Sequence, residues 1–182
     1  MDIALLKDKN NKYLSQTRVI DSEEEKKTRA ALAKKQSPHT IVLACSDSRV
    51  DVEKIFSADL GELFVIKIAG NILTKEILAS IEFAALSLGS KNCLVLGHTC
   101  CGAVSSAIAY KFDNAPMPSE NIKDLVENIS KTLPPKEPGM SDDEYQHLAT
   151  VANIKNSISE IKDRSEGINN LVEQKNFFIS AA

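Results

Sequence analysis

The rhythm of apolar and polar positions changes repeatedly along the chain. Thr40–Ala44 (TIVLA) and Cys93–Leu96 (CLVL) are unbroken apolar runs. They are too short for helices, and such runs predict strands covered on both faces. Leu63–Ile68 (LFVIKI) predicts a second strand between them, closed by the turn residues Ala69, Gly70 and Asn71. Apolar residues then return at helical spacing at 77, 78, 81, 85 and 88, after Thr74 as a cap and before Gly89 as a stop. Shorter helices are expected at about 51–57 and 102–111. Upstream, Ser22 and Glu25 form a capping box with Glu23 and Glu24 in the first turn, predicting a helix over 22–35 that Ser37-Pro38 ends.

The second half is more helical. Ser119 is placed to cap a helix of about 120–132, and the Pro-rich stretch TLPPKEPG follows. Ser141 and Glu144 form another capping box, ahead of a helix with Leu148, Val151, Ile154, Ile158 and Ile161 on one face. Gly167 is read as the interruption before a short helix, and Asn176–Ile179 as a last strand. Alternating strands and helices predict an α/β fold with three layers, a mostly parallel central sheet of about four strands and helices on both faces. One domain is expected over 1–182, with a helical arm at about 1–37 and an α/β core at about 38–182.

Composition narrows the functional classes. With 43% hydrophobic and 26% charged residues, the chain has the balance of a globular domain. A net charge of −3 with no basic stripe argues against a nucleic-acid partner. No apolar run approaches the roughly 18–20 residues of a membrane span, so no membrane partner is expected. The opening MDIALLKDKN is too short in apolar residues for a secretory signal. A cytoplasmic location is the default expectation, with an exported mature form left open.

The candidate chemistry lies where strands end. Cys45 closes the first strand, followed at intervals of two by Asp47 and Arg49 in LACSDSRV; His98 closes the third, followed by Cys100 and Cys101 in GHTCCGAV. Parallel sheets place their sites at the carboxyl ends of strands, so these segments are expected to converge. Convergence supplies an imidazole and two or three thiols, which are zinc donors. Cys100 and Cys101 are neighbours whose side chains should diverge. Cys101 is the expected ligand, because the small Gly102 and Ala103 follow it at a helix start, where a thiolate is favoured. Cys93, inside a strand, is expected to be plain core. If the segment after Cys45 is extended, Asp47 and Arg49 point the same way as the thiol. Asp47 could then bind the ion as a fourth ligand or accept from its water, with Arg49 clamping the carboxylate.

LACSDSRV together with GHTCCGAV resembles the β-class carbonic anhydrases. GELFVIKIAGN, SIEFAALSLGSKNCLVLGH, ANIKNSISEIKDRS and INNLVEQ extend the resemblance over roughly residues 30–180. It implies Zn2+ held by Cys45, His98 and Cys101, with Asp47 as fourth ligand in a closed state. In an open state Asp47 pairs with Arg49 and water replaces it. It implies reversible hydration of carbon dioxide to bicarbonate and a proton, and a homodimer or higher homo-oligomer. By family position Phe83 and Phe64 would line a small apolar pocket, with a core role for both left open. The family's final edge strand carries a Tyr-Asp-x-x-Thr-Gly-like segment, and the chain stops before it at NFFISAA, which implies a shortened carboxyl end. Two other readings stand beside this one. Hydrolases of carbonyl sulfide or carbon disulfide on the same scaffold alter the segment around Asp47, and SDSR is intact here. A non-catalytic, zinc-stabilised regulatory protein would lack Asp47 or Arg49.

Overall fold

The computed structural model describes residues 22–182. The part of the expected arm before residue 22 lies outside them. The chain divides into two units, Met1–Gln36 and Ser37–Ala182. In the first, α1 spans Glu23–Leu32 and is opened by the Ser22–Glu25 capping box. Its three leading glutamates suit the positive end of the helix dipole.

The second unit is built on four parallel strands: β1 (Thr40–Ala44), β2 (Leu63–Lys67), β3 (Asn92–Leu96) and β4 (Phe178–Ala181), in the order β2-β1-β3-β4. Thr40 stands opposite both Leu63 and Asn92, so β1 sits between β2 and β3 in one register. After β1 the chain turns to one side of the sheet, through the short α2 (Val52–Ile55), into β2. After β3 it leaves for the other side, through four helices, to β4. The loops following β1 and β3 therefore part company, which opens a crevice between them.

Alternate residues of β1 face opposite ways. Ile41 and Leu43 join Cys93 and Val95 against Leu78 and Ile81 of α3 (Lys75–Glu82), Ile154 and Ile161 of α6 (Asp142–Arg164) and Ile168 of α7 (Glu166–Glu173). Val42, Ala44 and Leu96 face the other way, onto Val50 and Val52 at the start of α2. A third cluster lies beyond the strand ends. There Cys45 and Cys101 pack with Val104 of α4 (Gly102–Asp113) and with Val126 and Ile129 of α5 (Glu120–Ser130).

Three elements differ from the sequence expectation. The helix after Thr74 is α-helical only to Glu82; Phe83–Ser87 form a wider π turn in which Leu88 N donates to the Phe83 carbonyl at 3.2 Å. Gly89 ends it at φ 81°, a left-handed value that glycine adopts without strain. The break before α7 lies at Ser165, not Gly167. Ser165 is extended, its hydroxyl caps Ile168 N, and Gly167 sits inside the helix. The buried stripe of α6 is also more polar than its apolar residues announce: Tyr145, Ala149, Asn153, Ser157 and Ile161, spaced by four, are all buried.

Candidate metal centre

Cys45 is the first residue past β1, where the ladder with β2 still continues through Ile68 N to Ala44 O at 3.1 Å and Ser46 N to Ile68 O at 3.2 Å. Its thiol is therefore fixed by sheet geometry, 5% exposed, at the mouth of the crevice. Cys101 arrives from the loop after β3. It caps α4 with an extended backbone and is 1% exposed. The two sulfurs lie 3.9 Å apart. His98 completes the group: one donor atom from each of Cys45, His98 and Cys101 lies within 4.8 Å of the other two, a grouping that could hold a metal ion.

Two features show that this set suits a cation. His98 Nδ1 lies 2.9 Å from the Thr99 carbonyl, which can only accept, so Nδ1 carries the proton and Nε2 keeps its lone pair. That Nε2 is buried and has no hydrogen-bond partner among the described residues. A buried polar atom without a partner costs free energy, and an imidazole lone pair facing two thiols is a ligand in waiting. The contact between the thiols acts on the two in opposite directions. The hydrogen bond from Cys101 holds Cys45 well below its usual thiol range. The Gly70 N–H, at 3.3 Å from Sγ, pulls the same way against burial. Cys101 is pushed up by the same contact and by burial.

Asp47 and Arg49 stand beside this group. The segment after Cys45 is not extended as expected. Val50 N donates to the Asp47 carbonyl at 3.1 Å, and Arg49 N donates to Asp47 Oδ1 at 2.9 Å. An aspartate that captures a backbone N–H two residues on makes this turn locally, and it folds Arg49 back over Asp47. The guanidinium then donates from Nε to Oδ1 at 2.9 Å and from Nη2 to Oδ2 at 2.8 Å. These bonds hold the Asp47 carboxyl well below the usual carboxylate range and raise Arg49 further. Asp47 Oδ2 is 4.0 Å from His98 Nε2, too far for a hydrogen bond, and Asp47 stands outside the Cys45–His98–Cys101 group. Arg49 Nη2 also donates to the Cys100 carbonyl at 3.0 Å, which joins the two loops. Cys100 presents that carbonyl from a left-handed φ of 54°, with an exposed side chain.

Lys67 at the end of β2 was not singled out in the sequence. Its Nζ donates to the Val50 carbonyl at 2.6 Å and to the Asp47 carbonyl at 3.3 Å, tying down the Asp47–Val50 turn. Only its position two residues ahead of Ala69-Gly70-Asn71 could have drawn notice. A cavity of about 410 Å³ borders His98, with Cys100, Gln146, His147, Thr150 and Val151 among its walls. Neither phenylalanine suggested for a pocket lines it. Phe64 packs against the main core and Phe83, on the π turn, is 51% exposed. Cys93 is buried in that core, where desolvation pushes its thiol up to about 12.

Comparison with known proteins agrees with this geometry. The family profile described as carbonic anhydrase matches residues 40–182. Carbonic anhydrase 2 of Mycobacterium tuberculosis is 36% identical over 144 residues, which cover 76% of this chain and 69% of that protein. A carbonic anhydrase of Mycolicibacterium smegmatis is 37% identical over 105 residues, 58% of this chain and 50% of that protein. Among solved structures, the β-carbonic anhydrase CcaA superposes with a TM-score of 0.83 at 21% identity, covering 97% of this chain and 80% of that one. One of two β-carbonic anhydrases of Sordaria macrospora, described as tetrameric, superposes at 0.80 with 17% identity, covering 98% of this chain and 89% of that one. The matched residues run through all four strands and both loops of the crevice, and the chain belongs to the β-class carbonic anhydrase family.

Proposed function

We propose that the chain is a zinc-dependent carbonic anhydrase that hydrates carbon dioxide reversibly to bicarbonate and a proton. Cys45, His98 and Cys101 hold the metal, and Asp47 and Arg49 serve the reaction. The observation that carries this reading is the buried, partnerless His98 Nε2 grouped with two thiols. Two thiols and an imidazole are a donor set that zinc takes in catalytic sites, with a fourth position left for water or substrate. Bound there, zinc supplies the Lewis acidity that brings the ionisation of a water near neutral pH.

The chain's own residues do the rest. Thr99, by accepting from Nδ1, fixes the tautomer that leaves Nε2 as the donor. Arg49 keeps Asp47 ionised and holds both carboxylate oxygens. An ionised carboxylate only accepts hydrogen bonds. Asp47 can therefore orient a water or hydroxyl group beside His98 Nε2 by accepting a hydrogen bond from it. The pairing of Asp47 with Arg49 is the arrangement that the family resemblance assigns to an open state. In the closed state that the resemblance implies, Asp47 would be released by Arg49 and would serve as a further ligand beside Cys45, His98 and Cys101.

The test is zinc content measured alongside stopped-flow carbon dioxide hydration over about pH 6.5–9, the range that brackets the ionisation of water on zinc. One zinc per chain with measurable hydration is expected. A zinc-free protein, or a zinc-loaded one that turns over carbonyl sulfide and not carbon dioxide, would overturn the reading. A homo-oligomer, at least a dimer, belongs to this proposal, supported by the fold neighbours described as tetrameric. Light scattering that returned the single-chain mass of 19.9 kDa would remove it. A cytoplasmic setting is also part of this proposal; there the four cysteines, all free thiols here, would stay reduced. Among the described residues no helix is long and apolar enough to cross a membrane.

A further inference from the structure

The Gly70 N–H that reaches Cys45 Sγ belongs to a turn fixed from two sides. Gly70 itself has φ 69°, and a Cβ there would stand 2.6 Å from Ile129 Cδ1 of α5. On the other side lies α6. Asn153 Nδ2 donates to the Gly70 carbonyl at 2.7 Å, and Ser157 Oγ, one helical turn on, donates to the Asn71 carbonyl at 3.0 Å. Both side chains are 1% exposed. Polar groups so deeply buried in the stripe that α6 turns to the core are costly unless each is bonded, and these two spend their donors on one turn.

We propose that Asn153 is a positioning residue for the metal centre, with Ser157 in support. By gripping the carbonyls of Gly70 and Asn71, α6 keeps the Gly70 N–H directed at the Cys45 sulfur. An N–H bond to a thiolate ligand draws charge from the sulfur and fixes its direction, so it tunes both the affinity of the site and the electronic character of the bound ion. Asn153 lies 108 positions from Cys45 along the chain, and its amide bonds the Gly70 carbonyl. It acts only through the backbone of the turn. The inference rests on the reading of Cys45, His98 and Cys101 as metal ligands.

The experiment uses the whole chain loaded with Co2+, whose thiolate charge-transfer band reports on sulfur donation, together with chelator competition for affinity. The wild-type chain should bind one Co2+ with a thiolate band. If it binds none, the metal reading falls and this inference with it. Asn153→Leu keeps the side-chain volume and removes the donor. It should weaken Co2+ affinity by about 10- to 100-fold, the range for lost outer partners of a ligand. It should also move the thiolate band to longer wavelength, as the sulfur regains charge. Ser157→Ala, which releases the neighbouring peptide only, should move both readouts the same way by less, and decides the matter if Asn153→Leu does not fold. Ile161→Val, a core change two turns along α6 from Asn153, separates stability from positioning: it should lower the melting temperature and leave the band and the affinity in place. A folded Asn153→Leu chain with wild-type band and affinity would overturn the proposal while leaving the metal reading standing.

Discussion

The amino and carboxyl edges of one sheet carry the same residue types and put them to different uses. At the amino edge are His39, Asn92 and Cys93, and at the carboxyl edge Cys45 and His98. His39 bonds to the hydroxyl of its neighbour Thr40, and its carbonyl takes the Asn92 amide. The Ser90 hydroxyl closes the loop beneath by donating to the Pro38 carbonyl at 2.7 Å. The Asn92 amide and the Ser90 hydroxyl are both spent on backbone carbonyls. At the carboxyl edge His98 spends one nitrogen on a carbonyl and leaves the other bare, facing two sulfurs. The cysteines make the same point. Cys93 is as buried as Cys101, but burial alone acts on it and keeps it a protonated hydrophobe. Cys45 has the Gly70 N–H and a second thiol within reach. What sets the thiol of Cys45 apart is its place at the strand end, where a turn brings the Gly70 N–H and a second loop brings the Cys101 sulfur within reach.

The sharpest way to break this contrast is to remove a ligand at the carboxyl edge. Cys45→Ser or His98→Ala should reduce metal affinity by well over about 100-fold, more than the loss of any outer partner, and abolish hydration. Metal analysis after dialysis checks it. Cys93→Ala should leave metal content unchanged. Next in size is Asp47→Asn, which keeps the shape but weakens the grip of Arg49 and the acceptor strength. Metal should be retained while the hydration rate falls by about 100-fold or more, as expected when a group that handles the proton is lost. Unchanged hydration would remove Asp47 from the mechanism.

The amino edge should answer in stability alone. Ser90→Ala leaves the buried Pro38 carbonyl without its partner and should cost about 1–3 kcal/mol in denaturant unfolding, with metal uptake unaltered. The smallest effect concerns pH. Because Arg49 depresses the folded pKa of Asp47, the contribution of the pair is present above the unfolded value of about 3.9. It is lost as pH falls through the lower folded value. Arg49 is largely exposed and Asp47 partly so, which screens the pair and keeps the contribution small. Melting curves of the metal-free wild-type and Asp47→Asn chains should therefore differ slightly near neutrality and converge toward acid. A gap that widened at low pH would contradict this sign.

The sequence showed most of the fold because its strands are short apolar runs with hard stops. TIVLA was legible to the residue, and CLVL lacked only Asn92. The fold class followed from the alternation, and the convergence of the two loops from the placement of sites at the carboxyl ends of parallel strands. What misled was local. Glycine looked the stronger breaker at 167, yet Ser165 supplies a hydroxyl to cap the next helix and so is where the chain turns. Spacing by two suggested that Cys45, Asp47 and Arg49 share a face, but an aspartate that bonds the backbone ahead of it makes a turn. Asn153 and Ser157 went unread because attention to apolar spacing on α6 passes over polar residues four apart. Their spacing matches that of Ala149 and Ile161, and this was the available signal.

Cys45 and Cys101 are 56 positions apart and meet only when β1 and β3 lie side by side. The full cluster is assembled only when the two strands are paired, so an ion held by all three groups favours the native state. Occupancy is then linked to folding: at a free-ion concentration 100 times the dissociation constant, the native state gains about 2.7 kcal/mol. In a metal-starved environment that margin would vanish, and the population open to proteolysis would grow accordingly.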